Sequence, residues 1–174
     1  SVALDKASSR ALQQEDCSQE TKKKWLQYHD RFTGDLPGML PLAIGMPVAL
    51  ADHIDRSDRQ LLRGKLGRVR SWEWEDGKDQ PAIVFVKFED AEWVLDGTSE
   101  KGLYPIVPVR RDWYLDQGRK MADRKLRISR KQLPLIPGFC ITGHSSQGKT
   151  LPAVIADMNI NKQTNATFGT VVAS

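Results

Sequence analysis

One segment has residue types and spacing that could do chemistry. Gly143-His144-Ser145-Ser146-Gln147-Gly148-Lys149-Thr150 sets four residues between two glycines and follows the second with Lys and Thr. Glycines let successive backbone N–H groups curl round a phosphate. The lysine then reaches the outer phosphates and the hydroxyl binds magnesium. Read alone, the segment belongs to a nucleoside triphosphatase. Its flanks argue against that. A phosphate loop follows a strand and opens a helix, whose N-terminal dipole joins the phosphate field. Here Leu151-Pro152 follows Thr150, and a strand-like apolar run begins at Ala153. One helical turn fits, with Pro152 near its start, but a helix of about ten residues does not fit before a strand over 154–158. The 24 residues after Thr150 are too few for the further βα units that would carry an acidic magnesium ligand. No catalytic residue is assigned in this chain.

Charge offers a second lead. The chain has 174 residues and a net charge of +4. Between Arg110 and Lys131 stand six Arg and three Lys against three Asp, a local +6, which leaves the remainder slightly acidic. A basic stripe on a balanced protein is the footprint of a polyanion partner, against the plainer reading of a solvated surface. Within it, Lys125 and Arg127 alternate with Leu126 and Ile128. At period two, such a strand buries one face and offers the other to an anion. Lys125, Arg127 and Arg130 are therefore candidates to line a nucleic-acid path, and Lys131 belongs to the same group.

Other chemistries find little support. His29, His53 and His144 lie in unrelated segments, so no metal-ligand spacing appears, and Cys17 and Cys140 read as two free thiols. There is no apolar run of about 18 residues and no basic-then-apolar leader, so a membrane partner is not expected and an intracellular protein is. Trp72, Trp74, Trp93 and Trp113 could stack on bases, but core positions suit them better. The absence of an initiator Met leads to the expectation of a piece of a longer protein.

Stepping out from these residues to the elements that must hold them, residues 1–35 read as a polar tail or surface helix with apolar anchors at Trp25, Leu26, Tyr28 and Phe32. Strands are predicted over 46–50, 69–74, 82–88 and 104–109. The last carries two prolines that place it at a sheet edge, and 93–95 is a further short extended piece. Gly64 and Gly67 sit where a strand corner would want them. Pro134 and Pro137 bracket a break. Strands are predicted again over 139–142, 154–158 and 170–173. Several short strands at this spacing suggest a small β-barrel or curled sheet.

The segment from Arg130-Lys131-Gln132-Leu133-Pro134 through Phe139-Cys140-Ile141-Thr142-Gly143-His144-Ser145-Ser146-Gln147-Gly148-Lys149-Thr150-Leu151 resembles the approach to motif V of the Pif/RecD-like superfamily-one DNA helicases, the petite-integration-frequency type. Their pattern is a basic residue and Gln-hydrophobic-Pro-hydrophobic, a short strand ending in Thr, His-x-Ser-Gln-Gly-x-Thr-hydrophobic, then another strand. Gly45-Met46-Pro47-Val48-Ala49-Leu50 and Gly64-Lys65-Leu66-Gly67-Arg68-Val69 resemble an upstream stretch of the same family, with Arg63 where the family often has Asn. Thr170-Val171-Val172-Ala173-Ser174 resembles the strand leading to its next motif.

The resemblance covers roughly 36–174 and implies an α/β fold with an inserted small β-barrel, that is, a partial second RecA-like helicase domain plus an SH3-like barrel. On that reading 36–50 and 132–174 are RecA-like and 51–131 are the barrel and basic segment. Thr142, His144, Ser145, Ser146 and Gln147 would touch the backbone of single-stranded DNA. Gln147, Gly148, Lys149 and Thr150 would couple that contact to the nucleotide cleft. ATP and Mg2+ would serve the full-length 5′–3′ helicase and be held by its missing N-terminal motor domain, the other expected partner. This fragment alone would bind neither and be inactive. Two readings stay open beside it: a non-enzymatic nucleic-acid-binding β-barrel module and a stand-alone phosphate-loop nucleotidase.

Overall fold

A computed structural model describes residues 1–8, 18–74, 77, 81–115, 126–142, 155–157, 160–161, 166–167 and 170–172. The chain is mostly β-sheet with few helices, and it divides into two compact units, Ser1–Ile136 and Pro137–Ser174.

The first unit is built on a five-stranded sheet ordered β5-β4-β3-β2-β8, from β2 (Pro47–Leu50), β3 (Leu66–Trp74), β4 (Pro81–Lys87), β5 (Leu103–Ile106) and β8 (Leu135–Pro137). Strands β2 to β5 form an antiparallel meander, and the late strand β8 returns beside β2. β-branched and aromatic residues dominate β4, as a half-buried pleated surface favours. Val84 and Val86 point inward from it, with Val48, Leu50, Leu61, Val69, Phe88, Ile106, Leu133 and Leu135 in the same core. Each such side chain contributes about 1.5–3 kcal/mol on burial. The β3–β4 register shifts twice, between Val69 and Ser71 and between Glu73 and Trp74. Such bulges bend and twist a strand, and so let a small sheet curl. Gly67 allows close approach here, since a Cβ would stand 2.6 Å from Val86 Cγ1 and 2.8 Å from the Lys87 carbonyl oxygen. Pro105 lies in β5, at the sheet's edge.

A second, three-stranded antiparallel sheet is ordered β1-β7-β6, from β1 (Leu4–Ala7), β6 (Val109–Leu115) and β7 (Leu126–Gln132). Its inner face meets helix α1 (Gln19–Trp25) through Trp25, Trp113, Leu126 and Ile128. Ser18 caps the helix, its hydroxyl accepting from the Thr21 amide.

Several expectations need correction. Of the two readings of residues 1–35, the helix is present as α1, while the tail reading is corrected for the described residues: β1 pairs along β7, and Ala3 and Trp25 are buried. The stretch over 104–109 splits at Val107-Pro108 into β5 and β6, which belong to different sheets. The segment around Pro134 and Pro137 forms β8. A boundary between 50 and 51 would cut β2 from β3, its neighbour in one ladder. The separate assignments of 36–50 and 51–131 therefore do not match the sheet.

In the second unit, β9 (Cys140–Thr142), β10 (Ile155–Asp157) and β13 (Thr170–Val172) form a sheet ordered β10-β13-β9, and β11 (Ile160–Asn161) pairs with β12 (Ala166–Thr167). All these pairings are antiparallel. A RecA-like lobe instead rests on parallel strands joined by helical crossovers. Among the described residues the second unit has no parallel pair.

Candidate nucleic-acid interface

Strand β7 is central to the basic stripe, and its alternation decides where each cation goes. Leu126, Ile128, Arg130 and Gln132 turn inward, while Arg127, Ser129 and Lys131 turn outward. The expected alternation of Leu126 and Ile128 with Arg127 is therefore present. Arg130, however, has the parity of the apolar residues, and it is fully buried.

The guanidinium of Arg130 is committed inside the protein. It donates from Nε to Asp5 Oδ1 at 2.8 Å and from Nη2 to Asp5 Oδ2 at 2.7 Å. It also donates to the carbonyl oxygens of Leu36, at 3.1 Å, and Trp25, at 2.8 Å. Its charge lies 5.5 Å from the Trp113 ring centroid. A buried charge must be paired and hydrogen-bonded, and Arg130 meets that need by joining β1, α1, the 36–37 turn and β7. Placing it along an external nucleic-acid path is corrected on this ground: no donor remains pointed at solvent.

Arg127 is the outward-facing candidate, with its side chain 61% exposed. Cross-strand register sets it opposite Tyr114, and its guanidinium donates to Asp112. That hydrogen bond holds the Asp112 carboxyl below the usual carboxylate range and raises Arg127 above its ordinary value. Both groups stay charged, and Asp112 offsets much of Arg127's field.

The same outward face carries Lys131, which the sequence reading grouped with the basic stripe, and also Leu4, Lys6 and Arg110, which it did not single out. Leu4, Lys131 and Arg110 form one row across β1, β7 and β6, and Lys6, Ser129 and Asp112 form the next. A groove of about 180 Å³ is lined by Leu4, Lys6, Arg110, Ser129 and Lys131. Lys6 was hidden because four residues of strand next to polar sequence give no periodic signal of their own.

Thr142 is the last residue of β9, at the lip of the motif. Lys125 and the motif residues His144, Ser145, Ser146, Gln147, Gly148, Lys149 and Thr150 lie outside the described residues. The next described strand, β10, starts at Ile155, five positions after Thr150. A helix of about ten residues opening at Lys149 is incompatible with that strand.

Of the tryptophans, Trp113 is buried in the second core, and Trp72 and Trp93 pack against the first. Trp74, at the end of β3, is 55% exposed. Among the described residues no group of three His, Cys, Asp or Glu side chains could hold a metal ion, and no helix is long and apolar enough to cross a membrane.

No protein-family model matches the chain. No curated protein matches it either. Among solved structures it is similar to one described as "Crystal structure of Pif1 helicase from Candida albicans", with 22% sequence identity and a TM-score of 0.48. The similarity covers 87% of this chain and 31% of that one, so the chain spans about a third of that protein's length.

Proposed function

We propose that the chain is a nucleic-acid-contacting part of a Pif/RecD-like DNA helicase, working together with a separate lobe that carries the phosphate loop. The reading is carried by the residues of the 142–151 motif, supported by the strands around it. Thr142 closes one strand and Ile155 opens another, so the motif lies between two strands in the sequence. Hydroxyl, amide and backbone N–H groups on such a connection suit phosphate oxygens, which fix position without reading bases. Thr142, His144, Ser145, Ser146 and Gln147 would contact single-stranded DNA. Gln147, Gly148, Lys149 and Thr150 would couple that contact to a cleft where ATP and Mg2+ are held chiefly by the other lobe. The order β5-β4-β3-β2-β8, a four-strand meander with a fifth strand returning beside the first, suits an SH3-like barrel.

The antiparallel directions of β9, β10 and β13 favour a second reading, a non-enzymatic nucleic-acid-binding module. ATP turnover and DNA binding by the chain, alone and fused to a phosphate-loop lobe, separate the two. The helicase reading expects salt-sensitive DNA binding without turnover alone, and DNA-stimulated unwinding in the fusion. Binding with no unwinding in the fusion supports the module. Turnover by the chain alone, lost in Lys149→Ala, overturns both.

A further inference from the structure

Resting on the nucleic-acid reading, we propose that the outward face of the β1-β7-β6 sheet, centred on Lys6, Arg110 and Lys131, binds the phosphate backbone of single-stranded DNA. The N-terminal strand β1, which the motif does not involve, completes this surface. Register places Lys131 beside Arg110 on one side and Leu4 on the other, with Lys6 beside Ser129 in the adjoining row. Neighbouring strands stand about 4.8 Å apart and same-face residues about 6.8 Å along a strand. The three cations therefore form a compact cluster across the sheet.

Among the described residues, every ionisable group lining the groove is a cation. The acid nearest in register, Asp112, is already engaged by Arg127 and by the Ser129 hydroxyl. Lys6 and Arg110 make no ion pair among the described residues. A phosphate placed among these side chains is attracted by each of the three cations.

The shape and chemistry of the face select the anion. A small nucleotide needs a cleft of about 300–1,000 Å³, whereas this groove holds about 180 Å³. An anionic membrane would want several apolar side chains to insert, and Leu4 is the one apolar lining residue among the described residues. A linear polyanion needs only spaced cations. Tyr114, 45% exposed, lies further along the outward side of β6 and offers a flat ring to an unpaired base, which favours a single strand.

The test measures binding of a fluorescein-labelled oligodeoxythymidylate to the whole chain across KCl concentrations. The comparison is with a triple variant, Lys6→Gln with Arg110→Gln and Lys131→Gln, its fold checked by circular dichroism. Each neutralised phosphate on a single strand contributes about 0.7 to the slope of log affinity against log salt. The variant's slope is therefore expected to be shallower by about 2. If the variant does not fold, amine acetylation of the unaltered chain read by mass spectrometry takes its place. Bound oligonucleotide is expected to protect Lys6 and Lys131 but not Lys101, whose side chain is exposed beside Glu92. Strong binding with an unchanged slope, or Lys6 and Lys131 equally reactive with and without oligonucleotide, overturns this face as the contact and leaves the broader reading standing. No binding by the unaltered chain brings down both. Phosphatidylserine vesicles bound through these lysines, with no oligonucleotide binding, would assign the face to a membrane and overturn the proposal.

Discussion

Arg130 grips Asp5 through two parallel hydrogen bonds of 2.8 and 2.7 Å that span 125 residues of chain. The pair fastens β1 to β7 at a point where neither side chain meets solvent. Removing one member leaves the other charge buried and unmatched, which costs about 3–5 kcal/mol. Arg130→Met and Asp5→Asn are each expected to lower unfolding free energy by roughly that amount in urea titrations. Arg130→Lys is expected to fail as a rescue, because an ammonium cannot supply the planar fork. The double variant Asp5→Leu with Arg130→Met should lose less than either single change. A single-variant loss below about 1 kcal/mol would mean the pair does not hold the strand.

Gly67 is a steric requirement of the five-stranded sheet. A methyl there would meet both Val86 and the Lys87 carbonyl oxygen. Gly67→Ala is expected to destabilise by about 1–3 kcal/mol, the usual cost of overpacking. Thermal or urea unfolding checks this, and an unchanged midpoint would show that β3 and β4 can separate at no cost.

The motif should act on binding and not on folding. Substituting Ser145, Ser146 and Gln147 together by Ala is expected to weaken single-stranded DNA binding about tenfold or more. A hydrogen bond to a charged oxygen is worth about 1.5 kcal/mol or more, and about 1.4 kcal/mol is a factor of ten. The urea midpoint should stay unchanged. A variant that binds DNA like the unaltered chain would remove the motif from the interface.

Acid stability should depend on Asp55. Hydrogen bonding from Ser57, followed by Arg59, holds its carboxyl below the ordinary value of 3.8. The folded state therefore binds this proton less readily than the unfolded chain. Its stabilisation is complete above the unfolded value and is lost as pH falls through the folded one. Asp55→Asn is expected to flatten the acid limb of a stability-versus-pH curve below about pH 4. Asp30 has the opposite sign: burial raises its carboxyl, so ionisation there costs stability as pH rises through the raised value. Asp30→Asn should help at neutral pH and stop helping in acid. Identical curves for the parent and Asp55→Asn would rule out the first effect.

Much of the strand content is legible in local composition. The β-branched run in β4, Pro47 at the start of β2 and the glycines at the entry to β3, Gly64 before it and Gly67 within it, each carry their own signal, and the structure places strands there. The alternation from Leu126 to Gln132 even contains the information that Arg130 faces inward, since it shares parity with Ile128. Counting it among the basic residues of the stripe overrode that parity.

The sequence by itself determined that several short segments are strands, and it isolated a motif whose glycines, hydroxyls and amide suit a phosphate. Period-two burial and turn chemistry act over a few residues, so neighbouring residues are enough to reveal them. Only the tertiary structure decided that β1 completes a sheet, that β2 and β8 join β3 to β5, and that Arg130 serves the interior while Lys6 joins Arg110 and Lys131 outside. Those outcomes depend on register between residues as much as 127 positions apart, as for Leu4 and Lys131. Such pairing is set by the joint burial of two distant faces, and neither segment encodes it alone.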